Sequence, residues 1–440
     1  MAAPLVAIIG RPNVGKSTLF NRLVGRREAI VADAPGTTRD RLFATITWDD
    51  RSIILVDTGG LEVRPEDALI KKVKEQVELA MREADVVIFL LDAIDGLTPA
   101  DHDIAQQLRR LRKPLVLAVN KVDNTGRSLT AQEFHALGLG DPVLVSAYHN
   151  SGIHDLMERV LSLLPQEASQ PEAAGQPMRL AIIGRPNVGK SALLNAILGE
   201  ERAIVSEQPG TTRDALDTAF SYKGQPVVLI DTAGMRRRGR IDVGIERYSV
   251  LRAYRAMERA DIVALVLDTT EMVAAQDAHI AGLAWEDMKG IIVVVNKWDL
   301  ASELGAERKE AERIVRETLH FMSYSPVVFT SALKKTGIGT LMDTAISLHQ
   351  ERCKRIDADE LHRVILEVIS GHPLPKDNRR SLRVYEVAQD GINPPTFRFT
   401  VNDPNLIHFS YQRYLENQLR LRLEFPRTHI RLSFQAKGKR

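Results

Sequence analysis

The chain has 440 residues, 44% hydrophobic and 26% charged, a balance that excludes wholesale disorder, collagen and low-complexity fibres. At roughly 100–200 residues per domain, this length calls for about two to four domains, and no run of about 18 apolar residues offers a transmembrane helix. The formal net charge is only +2, but the stretch 377–440 holds twelve Lys/Arg against six Asp/Glu, so the chain has a basic end.

In chain order, the apolar run Leu5–Ile9 closes on Gly10 and predicts a buried strand, after which residues 16–24 open a helix. A strand and helix this close to the first residue predict that no cleaved signal peptide precedes them. Residues 44–48 and 52–57 read as a hairpin about Asp49-Asp50, a turn rather than a catalytic pair. A stripe over 73–81 predicts a core-facing helix, and 86–92 and 115–120 are further apolar runs, each preceded by a polar-faced helical stretch. Strands alternating with helices predict a mainly parallel sheet with helices on both faces. Ligands of such sheets sit at the carboxyl ends of the strands.

The same pattern then returns. GRPNVGKS at 10–17 recurs at 184–191, PGTTRD at 35–40 recurs at 209–214, and Asp57-Thr58-Gly59-Gly60 is echoed by Asp231-Thr232-Ala233-Gly234, all 174 residues apart. Asn120-Lys121-Val122-Asp123 matches Asn296-Lys297-Trp298-Asp299 at 176, and Ser146-Ala147 matches Ser331-Ala332 at 185. A period this long is a duplicated domain rather than a solenoid. The chain is read as domains 1–164 and 178–350, joined by a Pro/Gln/Ala-rich flexible linker at 165–177, with a third, unrepeated domain at 351–440. In that last part, Leu361, Val364, Ile365, Val368 and Ile369 form a helical stripe. Residues 384–387 and 397–401 read as strands, 411–423 as a helix, and Ile430, Leu432 and Phe434 as alternate positions of a final strand. This α-β-β-α-β order suits a small α+β domain.

Gly10-Arg11-Pro12-Asn13-Val14-Gly15-Lys16-Ser17 follows a strand and opens a helix, the context of a phosphate-binding loop. Its glycines let backbone N–H groups wrap phosphate at a helix N-terminus. Lys16 then reaches the β- and γ-phosphates and Ser17 ligates Mg²⁺; Lys190 and Ser191 repeat those roles within Gly184-Arg185-Pro186-Asn187-Val188-Gly189 and its continuation. Asp57 and Asp231 end apolar strands where a carboxylate holds Mg²⁺ through water, and the backbones of Gly60 and Gly234 sense the γ-phosphate. Asp123 and Asp299 can each accept the N1–H and exocyclic N2–H₂ of guanine. Adenine lacks that amino group and would leave the carboxylate unpaired, at a cost of about 1–3 kcal/mol. The Lys121 and Lys297 stems cover the base, Asn120 and Asn296 brace the loop, and Ser146-Ala147 and Ser331-Ala332 fit a backbone contact to the guanine oxygen.

P-loop, PGTTRD, DxxG, NKxD and SA in this order resemble the motifs of translation-factor-type GTPases. Two such domains in tandem, followed by a small C-terminal domain, resemble the EngA (Der) family of bacterial GTPases over essentially the whole chain. The resemblance implies an α/β fold of two tandem P-loop GTPase domains with a KH-like α+β third domain. It implies GTP hydrolysis coupled to maturation of the large ribosomal subunit, with GTP/GDP and precursor rRNA as partners. Within PGTTRD, similarity favours Thr38 and Thr212 as the threonines that close on Mg²⁺, with Thr37 and Thr211 as alternatives. The residues expected to act in catalysis are thus Lys16, Thr38, Gly60, Lys190, Thr212 and Gly234.

Leu61 and Met235 stand where a glutamine would orient the attacking water. Asn13 and Asn187 match an asparagine that related GTPases use to ligate K⁺, so K⁺-stimulated turnover is the hypothesis. A GTP-binding scaffold with little turnover and a GTPase for tRNA modification are the alternatives. Arg236-Arg237-Arg238-Gly239-Arg240 reads either as a solvated switch face or as a cluster that nucleotide moves against RNA or the third domain; the first copy has Glu62-Val63-Arg64 instead. The third domain lacks the GXXG loop with which KH domains clamp nucleotides, but its excess of Arg/Lys suits phosphate contact. One cysteine, Cys353, excludes an intrachain disulfide; a cytoplasmic monomer without membrane contact is expected.

Overall fold

The structure, a computed structural model, describes residues 3–25, 43–49, 51–58, 84–111, 113–123, 131–164, 177–199, 203–205, 217–230, 246–372, 376–377 and 380–437. The expected helix at 73–81, both PGTTRD segments, residues 165–176 of the linker and the tail 438–440 lie outside them. The chain divides into two compact units, Met1–Pro171 and Glu172–Arg440.

The first unit contains β1 (Leu5–Ile9), α1 (Lys16–Val24), β2 (Phe43–Trp48), β3 (Arg51–Asp57), β4 (Val86–Asp92), α2 (Pro99–Leu111), β5 (Leu115–Asn120), β6 (Val143–Leu144) and α3 (Ile153–Leu163). The strands lie in the order β2-β3-β1-β4-β5-β6, and only the β2–β3 hairpin is antiparallel. All five residues of β1 and all seven of β4 are buried, the continuous apolar pattern of strands covered on both faces. Val6, Ile8 and Ile88 pack against Leu19, Phe20 and Leu23 of α1 and Leu156, Met157 and Val160 of α3. Strand order reverses direction at β1, which places the carboxyl end of that strand at the switch point where this kind of sheet binds ligands.

The second unit repeats the plan with β7 (Met178–Ile183), α4 (Lys190–Leu198), β8 (Ala203–Val205), β9 (Thr218–Tyr222), β10 (Gln225–Ile230), α5 (Glu246–Arg259), β11 (Ile262–Asp268), α6 (Ala275–Glu286), β12 (Gly290–Asn296), α7 (Arg308–Thr318), β13 (Val327–Phe329) and α8 (Ile338–Arg352). Its seven strands run β13-β12-β11-β7-β10-β9-β8. One face buries Leu193, Leu194 and Ile197 of α4 with Leu341, Met342 and Leu348 of α8. The other buries Met257 of α5 and Ile280, Ala281 and Ala284 of α6. The second copy has nine more residues than the first between its NKWD and SA motifs, and α7 lies in that interval.

The same unit continues into α9 (Ala358–Gly371), the short β14 (Lys376–Asp377) and β15 (Arg380–Ser381), β16 (Val384–Gly391), β17 (Thr396–Val401), α10 (Phe409–Arg422) and β18 (Arg431–Ala436). Asp357 caps α9 by accepting from Asp359 N at 2.9 Å and Glu360 N at 3.3 Å, the usual N-cap arrangement. β16-β17-β18 form a three-stranded sheet, antiparallel then parallel. Phe397, Phe399 and Val401, on one face of β17, are fully buried with Leu361, Val364, Ile365 and Val368, so the expected alternation forms the core.

This last sheet is joined to the second α/β sheet through a buried arginine. Arg352, 1% exposed at the end of α8, donates to Met288 O, Asn393 Oδ1 and Thr428 Oγ1, each at 2.8 Å. Asn393 in turn donates to Asp261 Oδ1 at 2.7 Å. Around this hub, Trp285 stacks on His429 at 4.9 Å, Arg420 lies 4.3 Å over the Tyr324 ring, and Arg427 pairs with Glu351 at 2.9 Å.

Candidate nucleotide-binding sites

Both glycine-rich loops leave the carboxyl end of a central strand and turn into a helix, as their sequence context predicts. Gly15 and Gly189 take φ of 97° and 94°, the left-handed region that favours glycine. A Cβ at either position would come within 2.4 Å of Asn120 Nδ2 or Asn296 Nδ2. Neither α1 nor α4 has an acidic residue in its first turn, so the positive helix ends are left to an anion. Lys16 is 4% exposed, and its Nζ donates to Gly10 O and Arg11 O at 2.8 Å. Lys190 does the same to Gly184 O at 2.8 Å and Arg185 O at 2.5 Å. Val14 and Val188 are buried under their loops, Pro12 and Pro186 lie at the turns, and Asn13 and Asn187 are exposed at a φ of 66°.

The NKxD segments emerge from β5 and β12, beside the phosphate loops. Asn120 Nδ2 donates to Val14 O at 2.8 Å while its Oδ1 accepts from Ala147 N at 3.0 Å, so one amide ties three motifs together. Asn296 repeats this with Val188 O at 2.9 Å and Ala332 N at 3.1 Å, and also accepts from Thr330 Oγ1 at 3.1 Å. The Ala147 and Ala332 amides are therefore directed at these asparagines. Ser146 Oγ donates to Asp123 Oδ1 at 2.7 Å, and Ser331 Oγ to Asp299 Oδ1 at 2.5 Å. The serines of the SA motifs thus hold the aspartates read above as purine selectors, a role the sequence reading did not give them. Val122 N donates to Val145 O at 3.2 Å, and Trp298 packs 4.4 Å from the Phe329 ring.

Several participants carried no motif signal. Lys121 pairs with Asp92 at 2.6 Å, and Lys297 with Asp268 at 2.6 Å. These aspartates end β4 and β11 and fix the lysine stems at the mouth of each site. Burial would raise the Asp268 carboxyl, but the hydrogen bonds from Lys297 and Thr270 outweigh it and hold the group below its ordinary value. Arg22, on α1, donates to Ala147 O at 3.0 Å and Tyr148 O at 2.7 Å; the equivalent position in the second copy is Ala196. Only the duplicated alignment could have exposed Asp92 and Asp268, which fall 176 residues apart like the NKxD motifs.

The donors expected for a divalent cation are hard oxygens. Ser17 and Ser191 lie exposed in the first turns of α1 and α4. Asp57 ends β3 opposite Ile8 of β1, 3% exposed, and Thr58 Oγ1 donates to Ile8 O at 2.7 Å. Thr38, Gly59, Gly60, Leu61, Thr212, Asp231, Thr232, Ala233, Gly234, Met235 and the arginine cluster 236–240 lie outside the described residues. Among the described residues no three His, Cys, Asp or Glu side chains cluster as a preformed metal site, and no helix is long and apolar enough to cross a membrane.

The sequence matches the family described as 50S ribosome-binding GTPase at residues 5–121 and again at 179–297. Residues 355–435 match the KH-domain-like C-terminal domain of EngA bacterial GTPase enzymes. The chain is 50% identical to the GTPase Der of Thermomicrobium roseum, covering 99% of this chain and 96% of that protein. It is 48% identical to the GTPase Der of Chloroflexus aggregans (100% and 99% covered) and 49% identical to that of Symbiobacterium thermophilum (99% and 93% covered).

Proposed function

The chain belongs to the EngA (Der) family of bacterial GTPases and is a GTPase, and from that premise we propose that it binds and hydrolyses GTP at two sites to drive maturation of the large ribosomal subunit in the cytoplasm, as a monomer. The domains assigned to this work are 1–164, 178–350 and 351–440, with 165–177 as the linker.

One observation carries the two-site reading: the asparagine–phosphate-loop brace and the serine-held aspartate occur together, twice, at the same end of two sheets. Asp123 and Asp299 each offer a fixed carboxylate to the guanine edge, with Lys121 and Lys297 over the base plane. Backbone N–H groups of the glycine-rich loops grip the phosphates, and Lys16 and Lys190 meet the β- and γ-phosphoryl oxygens. Ser17, Thr38 and Asp57, and Ser191, Thr212 and Asp231, are the residues that would hold Mg²⁺, which when bound neutralises charge on those oxygens. Gly60 and Gly234 contact the γ-phosphate, and the protein contributes positioning of the attacking water and charge stabilisation.

Leu61 and Met235 have no group to orient that water. K⁺ held by Asn13 and Asn187 would supply the missing stabilisation at the β–γ bridge. The exposure of both asparagines at the phosphate loops supports this assignment. The basic third domain carries the rRNA contact.

Phosphate release by the full chain tests the core of this reading. Lys16→Ala and Lys190→Ala should each remove one site's turnover, and the double variant should remove all of it; release that survives the double change would overturn it. Equal rates in Na⁺ and K⁺ would remove the potassium assignment. Comigration with large-subunit precursors on gradients is expected for the GTP-bound chain; migration free of ribosomal particles would argue for the scaffold or tRNA-modification alternatives.

A further inference from the structure

Each phosphate-binding loop carries an arginine that phosphate binding does not itself require. Arg11 Nη2 donates to Asp95 Oδ2 at 2.9 Å, and its Nε lies 3.4 Å from Asp101 Oδ2. Arg185 pairs with the Glu271 carboxylate, donates from Nη2 to Glu271 O at 2.8 Å, and places Nε 3.2 Å from Asp277 Oδ2. The partners come from equivalent places: the turn after β4 or β11, and the first turn of α2 or α6.

Asp101 and Asp277 are fully buried. Each also closes the start of its helix. Asp101 Oδ2 accepts from Thr98 N at 3.0 Å and Thr98 Oγ1 at 2.7 Å; Asp277 Oδ2 accepts from Ala274 N at 3.1 Å. In both copies the other oxygen, Oδ1, has no hydrogen-bond partner among the described residues. A carboxylate buried in this way is stable as an anion only beside a cation, and the arginine of the phosphate loop is the cation that faces it. Burial pushes the Asp277 carboxyl above its ordinary value, with the Arg185 charge acting against that shift.

The arginine backbones complete the connection. Arg11 O and Arg185 O are carbonyls that receive the Lys16 and Lys190 ammonium groups. One residue thus touches the phosphate lysine through its carbonyl and a buried carboxylate of the neighbouring helix through its guanidinium, and in the second copy the Arg185 backbone also hydrogen-bonds that carboxylate. We propose that Arg11 and Arg185 are positioning residues, whose side chains moor the phosphate-binding loops to Asp101 and Asp277 and so set nucleotide affinity without touching the phosphates. The proposal rests on the placement of nucleotide in these loops argued above.

The test uses the full chain carrying Lys16→Ala, so that the second site alone is titrated calorimetrically with GTP and with GDP. Arg185→Ala and Asp277→Asn should each weaken both nucleotides about tenfold, the scale of coupling between residues of one ion-pair network. The ratio of GTP to GDP affinity should stay fixed, and the double variant should bind no more weakly than Asp277→Asn alone, because that change already removes the link that Arg185→Ala cuts. A direct phosphate contact predicts otherwise: a larger loss for GTP than for GDP, and additive effects of the two substitutions. Either result overturns the proposal. Should Asp277→Asn fail to fold, Arg185→Gln keeps the carboxylate in place and repeats the test: equal losses support the proposal, while unequal losses or none overturn it. If the Lys16→Ala parent binds no guanine nucleotide, the two-site reading itself has failed; if it binds and the variants are unchanged, only the mooring has.

Discussion

At the scale of single residues, the base-reading aspartates are the sharpest point of leverage. Asp299 is oriented by Ser331, so its chemistry can be changed with little change in its place. Replacing it by asparagine turns one acceptor into a donor, which mismatches the guanine amino group and matches the C2 carbonyl of xanthine. Asp299→Asn should weaken GTP at the second site by about ten- to a hundredfold and bring xanthosine triphosphate to measurable affinity, read by competition against a fluorescent nucleotide. Asp268 gives a second, pH-dependent handle. Its folded carboxyl titrates below the ordinary value of 3.8. Its contribution to stability is therefore complete above that value and is lost as pH falls through the lower folded value. Denaturant midpoints of the second unit should decline on acidification below about pH 4, and Asp268→Asn should flatten that decline while lowering the midpoint at pH 7.

At the scale of elements, the phosphate loop and its neighbouring strand end act as one construction. Gly189→Ala would bring a methyl within 2.4 Å of the Asn296 amide and force a left-handed φ on alanine. The brace to Val188 O and Ala332 N must then open. The expected result is a loss of GTP affinity of at least about tenfold at the second site and a stability cost of about 1–3 kcal/mol, checked by calorimetry and thermal melting with the first site as internal reference. Much at this scale was legible from residue order alone. Strand–glycine loop–helix and the hairpin about Asp49 follow from apolar period and punctuation, as does the α-β-β-α-β order of the third domain apart from the two-residue strands β14 and β15, which that pattern does not predict. What was not legible depended on pairs of residues far apart in sequence. Asp92 reads as the polar end of an apolar strand until Lys121 arrives beside it, 29 residues later. Arg11 reads as one more letter of a phosphate motif until its partner turns out to be a buried carboxylate in α2. Ser146 was assigned by its backbone, because a hydroxyl's target is set by tertiary placement and not by spacing.

At the scale of the molecule, the second unit is held to its C-terminal sheet by a polar centre where an apolar one would be expected. Arg352 is the case in point. An arginine ending a surface helix looks solvated in sequence, and only three acceptors drawn from positions 288, 393 and 428 show otherwise. Burial pulls its guanidinium down to about 10, so it stays charged at neutral pH. Two explanations of its place make different predictions. If Arg352 merely fills volume, a methionine of similar length should be tolerated or even stabilising, as for some buried ion groups replaced by apolar ones. If its fan of hydrogen bonds fixes the joint, methionine leaves the Met288 carbonyl, the Asn393 amide and the Thr428 hydroxyl without their donor. Each such group costs about 1–3 kcal/mol. The planar fork matches three separate acceptors, and a lysine ammonium has no equivalent geometry. Arg352→Met should therefore lower the stability of the second unit by about 3 kcal/mol or more, and Arg352→Lys by a smaller but measurable amount. Denaturation followed by Trp285, whose ring stacks on His429 across the joint, would show this as an earlier transition, while Trp48 in the first unit keeps its midpoint. A methionine variant as stable as the parent would return Arg352 to the role of filler and leave the joint to its aromatic contacts.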